Sequence, residues 1–114
     1  MHAGLELITE KRGQALVLHL GGRLDNTTVT LFQQRVEQVL AVGEARIVVD
    51  LARLEYISSA GMRGLLALAM QLRSRPDGSI AFARPQGMVQ DVLRLAGFQQ
   101  MFTMFDSLED AVRA

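Results

Sequence analysis

Residues 45–75, ARIVVDLARLEYISSAGMRGLLALAMQLRSR, decide the fold. Ala45–Leu51 is a short, β-branched apolar run without clean alternation, the pattern of a strand covered on both faces and so the expected centre of a sheet. Ala52–Ile57 reads as a connection. A helix is expected to start near Ser58 and Ser59, because Met62, Leu65, Leu66, Ala69 and Leu72 recur behind them at helical spacing.

Toward the N-terminus, Leu5–Glu10 suggests a first strand and Gly13 a turn into a second. In Gln14–Leu20, Leu16, Leu18 and Leu20 share one face while Ala15, Val17 and His19 share the other, which predicts a half-buried strand. His19 has no second ligand or acidic partner close in sequence, so it reads as a plain strand residue. After Gly21 and Gly22, the residues Asp25, Asn26, Thr27 and Thr28 are N-cap candidates for a helix. Its apolar stripe is Val29, Phe32, Val36, Val39 and Leu40, and Gly43 can end it.

Toward the C-terminus, Pro76, Asp77 and Gly78 supply a turn into a strand at Ser79–Ala83. A third helix is expected after Pro85, with Val89, Val92, Leu93 and Ala96 inward, Gly97 at the position after the cap and Phe98 as its hydrophobic contact. Phe102–Phe105 predicts a short edge strand. Ser107 with Asp110 resembles a capping box for a last helix ending at Arg113. The expected fold class is therefore α/β: one domain over 1–114, a mixed sheet of about four to five strands and about four helices packed on it.

Composition narrows function. The chain has 114 residues, 49% hydrophobic and 21% charged, the balance of one globular domain with a real core. Twelve Lys plus Arg against twelve Asp plus Glu leave no net charge, which argues against a nucleic-acid or anionic-membrane binder. No Cys is present, so disulfides and thiolate chemistry are excluded, and with only His2 and His19 a histidine metal site has little to build on. No apolar run approaches the roughly 20 residues of a membrane span, and the start, MHAGLELITEKRG, is not a secretory signal. A cytoplasmic location is the expectation.

The serine pair is the chemical feature to weigh. A strand, a serine and a helix also make a nucleophile elbow, but Ile57-Ser58-Ser59-Ala60-Gly61 lacks the glycine two places before the serine, and both histidines precede it. Gly21-Gly22-Arg23-Leu24-Asp25 has no Walker spacing, and the carboxylates Asp25, Asp50 and Asp91 are scattered singly. The plain role of Ser58 and Ser59 is N-capping. A serine at a helix start is also where an added phosphate would meet free N–H groups and the positive end of the dipole, bringing about −1.5 to −2 charges. A partner packed over that helix end would have to desolvate the charge. Ala60, Gly64, Ala67, Gln71 and Ser74, beside Arg63, form a strip of small residues on the face opposite the core stripe. Gly64 costs its helix about 1 kcal/mol relative to Ala, which points to close packing, internal or with a partner.

The run VDLARLEYISSAGMRGLL resembles the signature of the STAS domain family, and within it the bacterial anti-sigma factor antagonists: Asp50-Leu51, then Leu54, Tyr56 and Ile57-Ser58-Ser59-Ala60-Gly61-Met62. Gly22-Arg23-Leu24-Asp25 is similar to the family's second-strand ending, and LRLAGFQQMFTMFDSLEDAV to its C-terminal pattern. The resemblance implies a partner-switching protein with no catalysis and no cofactor of its own. The unphosphorylated form would bind an anti-sigma factor serine kinase of the GHKL type; phosphorylation would release it, and a PPM-family serine phosphatase would reverse the mark. Ser59 matches the acceptor, with Ser58, which stands where many members carry Asp, as the alternative. Asp25 matches an acidic residue near the acceptor, and the implied partner surface adds Ser58, Ala60, Gly61, Met62, Arg63, Gly64 and Ala67. Neither nucleic acid nor membrane insertion is expected. The competing readings are an unswitched STAS subunit of a transporter or larger signalling complex, and a serine hydrolase.

Overall fold

In the computed structural model, which describes residues 4–114, the chain runs β1 (Leu5–Arg12), β2 (Ala15–Leu24), α1 (Val29–Ala41), β3 (Arg46–Ile57), α2 (Ser59–Arg73), β4 (Ser79–Ala83), α3 (Gly87–Leu95), α4 (Phe98–Met101), β5 (Thr103–Phe105) and α5 (Leu108–Arg113). His2 lies outside the described residues. The five strands stand in chain order, β1-β2-β3-β4-β5, so the Ala45–Leu51 run does sit at the centre. β1 and β2 form an antiparallel hairpin, and β2, β3, β4 and β5 are parallel neighbours. Each parallel step advances the same way across the sheet, and crossovers of one hand then bring their helices to one face.

That face carries the main core. Leu16, Leu18 and Leu20 of β2 and Ile47, Val49 and Leu51 of β3 pack under Phe32, Val36 and Leu40 of α1, Leu65, Leu68 and Leu72 of α2, and Val89 and Leu93 of α3. Phe82, Phe98 and Phe102 meet with ring centroids 5.5–5.7 Å apart, in tilted or edge-on contact. The turn α4, which carries Phe98 into this cluster, is a fifth helix the sequence pattern did not announce. Gly97, at φ +81°, ends α3 in the left-handed conformation expected there.

Several expectations are corrected. β2 is not half-buried: Ala15 and Val17 are fully buried on the second face, where α5 lays Leu108 and Ala111 over them and over Val48, Ala81 and Ala83. Coverage by a distant helix cannot be read from a strand's own alternation. Ala52–Ile57 is not a connection but the second half of β3, still paired to β2 through Gly21↔Arg53, Gly22↔Leu54, Arg23↔Tyr56 and Leu24↔Ile57. The pairing shifts register between His19 and Gly21 and again between Gly22 and Arg23, and these irregularities erase the alternation that marks a strand. Gly22 has φ +81°, and a Cβ there would fall 2.0 Å from the Gly4 carbonyl oxygen. Ala96, expected inward on α3, is its exposed C-cap.

Candidate functional site

β2 and β3 end side by side, and this end of the sheet builds the site. Ser58 donates its N–H to the Leu24 carbonyl at 3.0 Å, which ties the start of α2 to the end of β2. Ser58 itself stays extended, at φ −95° and ψ 176°, and its Oγ accepts the Gly61 N–H at 3.2 Å while its carbonyl accepts the Met62 N–H at 2.8 Å. That is an N-cap, as the residue type predicted. Ser59 is the first residue of α2, exposed, and its hydroxyl makes no hydrogen bond among the described residues. The two serines are thus chemically distinct: one hydroxyl is engaged and half-buried, the other open to solvent.

The first turn of α2 lies hard against the strand ends. A Cβ on Gly61 would fall 2.2 Å from the Leu24 carbonyl oxygen, so only glycine fits this approach. Gly64 corrects the strip of small residues. It is buried against α1, where a Cβ would fall 2.8 Å from Val29 Cγ2 and 3.7 Å from the Phe32 ring. The close packing that its helix cost suggested is therefore internal. The buried stripe of α2 is Gly61, Gly64, Leu65, Leu68, Ala69 and Leu72, with Met62 and Leu66 only partly covered. Of the strip, Ala67, Gln71 and Ser74 stay exposed beside Arg63, and Ala60 is half-buried.

Asp25 is buried directly after Leu24. Its Oδ1 accepts the Thr27 N–H at 2.9 Å and the Thr27 hydroxyl at 2.7 Å, and Arg23 Nε approaches Oδ2 at 3.4 Å. The Thr27 hydroxyl first, then its N–H and Arg23, hold this carboxyl below the ordinary aspartate range against the cost of burial. Thr28 accepts the Asp25 N–H at 2.9 Å and donates to the Arg23 carbonyl at 2.9 Å, so it fastens the turn even though its side chain does not cap α1. The Arg23 guanidinium lies 4.2 Å over the Tyr56 ring. Sequence reasoning missed this Arg23–Tyr56 pair, because it depends on the second register shift.

The remaining sequence candidates lie apart from the serines. Asp50 is buried under Arg84 and His19, and Asp91 pairs with Arg94 on the exposed side of α3 at 2.6 Å. His19 is more than a plain strand residue: the sheet brings it two acidic partners, Glu10 and Asp50, each 2.7 Å from a ring nitrogen. Neither nitrogen is left to activate a serine. No group of three or more His, Cys, Asp or Glu suited to a metal occurs among the described residues, and none of their helices is long and apolar enough to cross a membrane.

A five-stranded mixed sheet with its helices in this order, and a serine-bearing helix seated on its strand ends, defines an α/β class that the family comparison names. The STAS domain model matches residues 6–111, and the chain belongs to that family. Within it, the chain is 32% identical over 110 residues to the candidate anti-sigma factor antagonist BtrV of Bordetella bronchiseptica, covering 96% of this chain and 94% of that one. A crystal structure of a candidate anti-sigma factor antagonist from Thermotoga maritima superposes with a TM-score of 0.87 at 20% identity, over 94% of this chain and 92% of the other. The phosphorylated form of the Bacillus cell fate determinant SpoIIAA gives a TM-score of 0.73 at 20% identity, over 95% and 97% of the two chains. These two structures show the fold.

Proposed function

We propose that this protein is an anti-sigma factor antagonist that works as a phosphorylation-controlled binding module. In its unphosphorylated form it binds an anti-sigma factor, specifically a serine kinase of the GHKL type, and so frees that kinase's target. Phosphorylation of Ser59 ends the binding, and a PPM-family serine phosphatase restores it. The domain acts in the cytoplasm without catalysis or a cofactor of its own.

The observation that carries this reading is the free, exposed Ser59 hydroxyl at the first position of α2, next to a Ser58 hydroxyl already committed to Gly61. Moving Ser58 into a kinase would break its cap, whereas Ser59 can be modified with the helix intact. The phosphate would gain from the helix dipole, so the fold tolerates it, while a partner pressed onto the same turn would not. On this reading the contact surface is Ser59 with Ala60, Met62, Arg63 and Ala67, and Asp25 shapes its border. Gly61 and Gly64 act from beneath by letting α2 sit close.

The test is mass spectrometry of the native protein purified with phosphatases inhibited. Trypsin isolates Leu54–Arg63, which holds both serines and Tyr56. Phosphate on Ser59 is expected. Phosphate on Ser58 overturns the choice of acceptor, and two unmodified serines after incubation with ATP and the host's candidate kinases overturn the switch in favour of an unswitched STAS subunit.

A further inference from the structure

We propose that Glu10, His19, Asp50 and Arg84 form a proton-operated clasp, which fastens edge strand β1 to the centre of the sheet while the His19 ring carries both N–H protons. When the ring releases one proton to water, the clasp opens at Glu10. The four side chains come from β1, β2, β3 and the residue after β4, so the chain of contacts crosses four strands. His19 Nδ1 lies 2.7 Å from Asp50 Oδ2, and Nε2 lies 2.7 Å from Glu10 Oε1. An ionised carboxylate can only accept, so two such contacts need two N–H donors, and only the doubly protonated ring has them.

Both carboxyls are held in the ionised form. Hydrogen bonds from Arg12 and then His19 keep Glu10 below the ordinary glutamate range. At Asp50 burial pushes the other way and is the largest single effect, but Arg84, His19 and the Ala52 N–H together outweigh it. Arg84 grips Asp50 twice, Nε to Oδ1 at 3.0 Å and Nη2 to Oδ2 at 2.7 Å, from a left-handed backbone at φ 58° that non-glycine residues rarely adopt.

Asymmetry decides which contact opens. The Asp50 side chain is only 5% exposed and cannot rehydrate in place, whereas that of Glu10 is 42% exposed and keeps Arg12 at 2.9 Å. The last ring proton therefore stays on Nδ1, and the bare Nε2 lone pair repels the Glu10 carboxylate. Among the described residues, the other charged groups against this face are turned elsewhere: Arg46 of β3 donates to the Val112 and Ala114 carbonyls at the end of α5. α5 turns Leu108 and Ala111 inward and leaves Glu109, Asp110 and Arg113 exposed, with Arg113 paired to Asp110 at 3.0 Å. Lys11 of β1 pairs with Glu44, and beside Gly21 Glu6 pairs with Arg53. A bond made by the charged form of a base is present on the acid side and lost as pH rises, so β1 is held most firmly below the pH at which His19 loses its proton.

The experiment is NMR on the intact protein, with pH raised stepwise from about pH 5 to the alkaline limit of the folded state. Ring nitrogen shifts count the protons, and amide exchange of Thr9–Arg12 is compared with that of β4 as an internal reference. We expect two ring N–H protons at the acid end, Nδ1–H alone at the other, and a several-fold loss of β1 protection relative to β4 across the change. Glu10→Gln, at a part-exposed side chain, should lower the doubly protonated fraction at a fixed pH inside that change. It should also flatten the pH dependence of β1 exchange. A ring that holds one proton throughout, or both throughout, overturns the clasp, as does β1 protection that ignores the ring's loss of a proton or a Glu10→Gln protein that titrates like the parent.

Discussion

The two faces of the sheet are finished in opposite ways. One is roofed by α1, α2, α3 and α4 and filled with leucines and three phenylalanines; the other, among the described residues, is roofed by six-residue α5 and lined with small residues, Ala15, Val17, Val48, Ala81 and Ala83. Where α5 stops, the second face turns polar, with Asp50 and His19 in place of further aliphatics. The difference teaches where function can sit. The serine-bearing helix belongs to the heavily packed face, so the position of Ser59 is set by Leu65, Leu68 and Leu72 below it and by the Gly61 contact at its start. A switch read by a partner needs that rigidity, because the partner must meet the same surface until the phosphate changes it.

The comparison breaks most readily on stability. Phe82→Ala, at a fully buried ring that touches two other aromatics, is expected to cost about 3–5 kcal/mol in chemical denaturation. Leu108→Ala on the second face should cost about 2 kcal/mol, the low end for a buried leucine, since a short terminal helix can readjust. Equal losses would mean that the thin roof supports the fold as much as the thick one.

Binding sharpens the contrast next. Ser59→Asp should weaken capture of the cognate kinase at least tenfold, about 1.4 kcal/mol, and leave the denaturation midpoint unchanged, while Ser59→Ala binds but is not released by ATP. Titration calorimetry showing equal affinity for both variants would remove the switch from this helix end. Ser58→Ala is expected to cost about 1 kcal/mol of stability by removing the cap on Gly61 N–H, with Ser59 still phosphorylated.

The smallest effect is on acid stability. The Asp25 carboxyl is held below its ordinary value in the folded protein, so its contribution is complete above the unfolded value near about 3.9 and fades as pH falls through the folded one. Denaturation midpoints followed from neutral pH to about pH 3 should therefore decline less for Asp25→Asn than for the parent protein. An unchanged slope would show that the Thr27 contacts do not favour the charged form.

Much of the fold was legible because its signals are local. Helical spacing placed α1, α2 and α3, the Ser107–Asp110 pair announced the cap of α5, and Gly97 marked the end of α3. The serine at a helix start was legible for the same reason, since capping is written within four residues. The second half of β3 was not, because two register shifts against β2 break its alternation. Nor was the internal role of Gly64, which depends on where α1 lies.

The sequence by itself determined the order of the elements other than α4, the central strand and the serine pair at the head of α2, since each follows from backbone preference and side-chain periodicity over a few residues. Only the tertiary structure decided which serine is free, which glycines are spacers inside the molecule, and that His19 stands between Glu10 and Asp50. The His19 contacts join residues 9 and 31 positions apart, and the glycines press on residues of other elements; such contacts are set by strand pairing and helix packing, which no local pattern encodes.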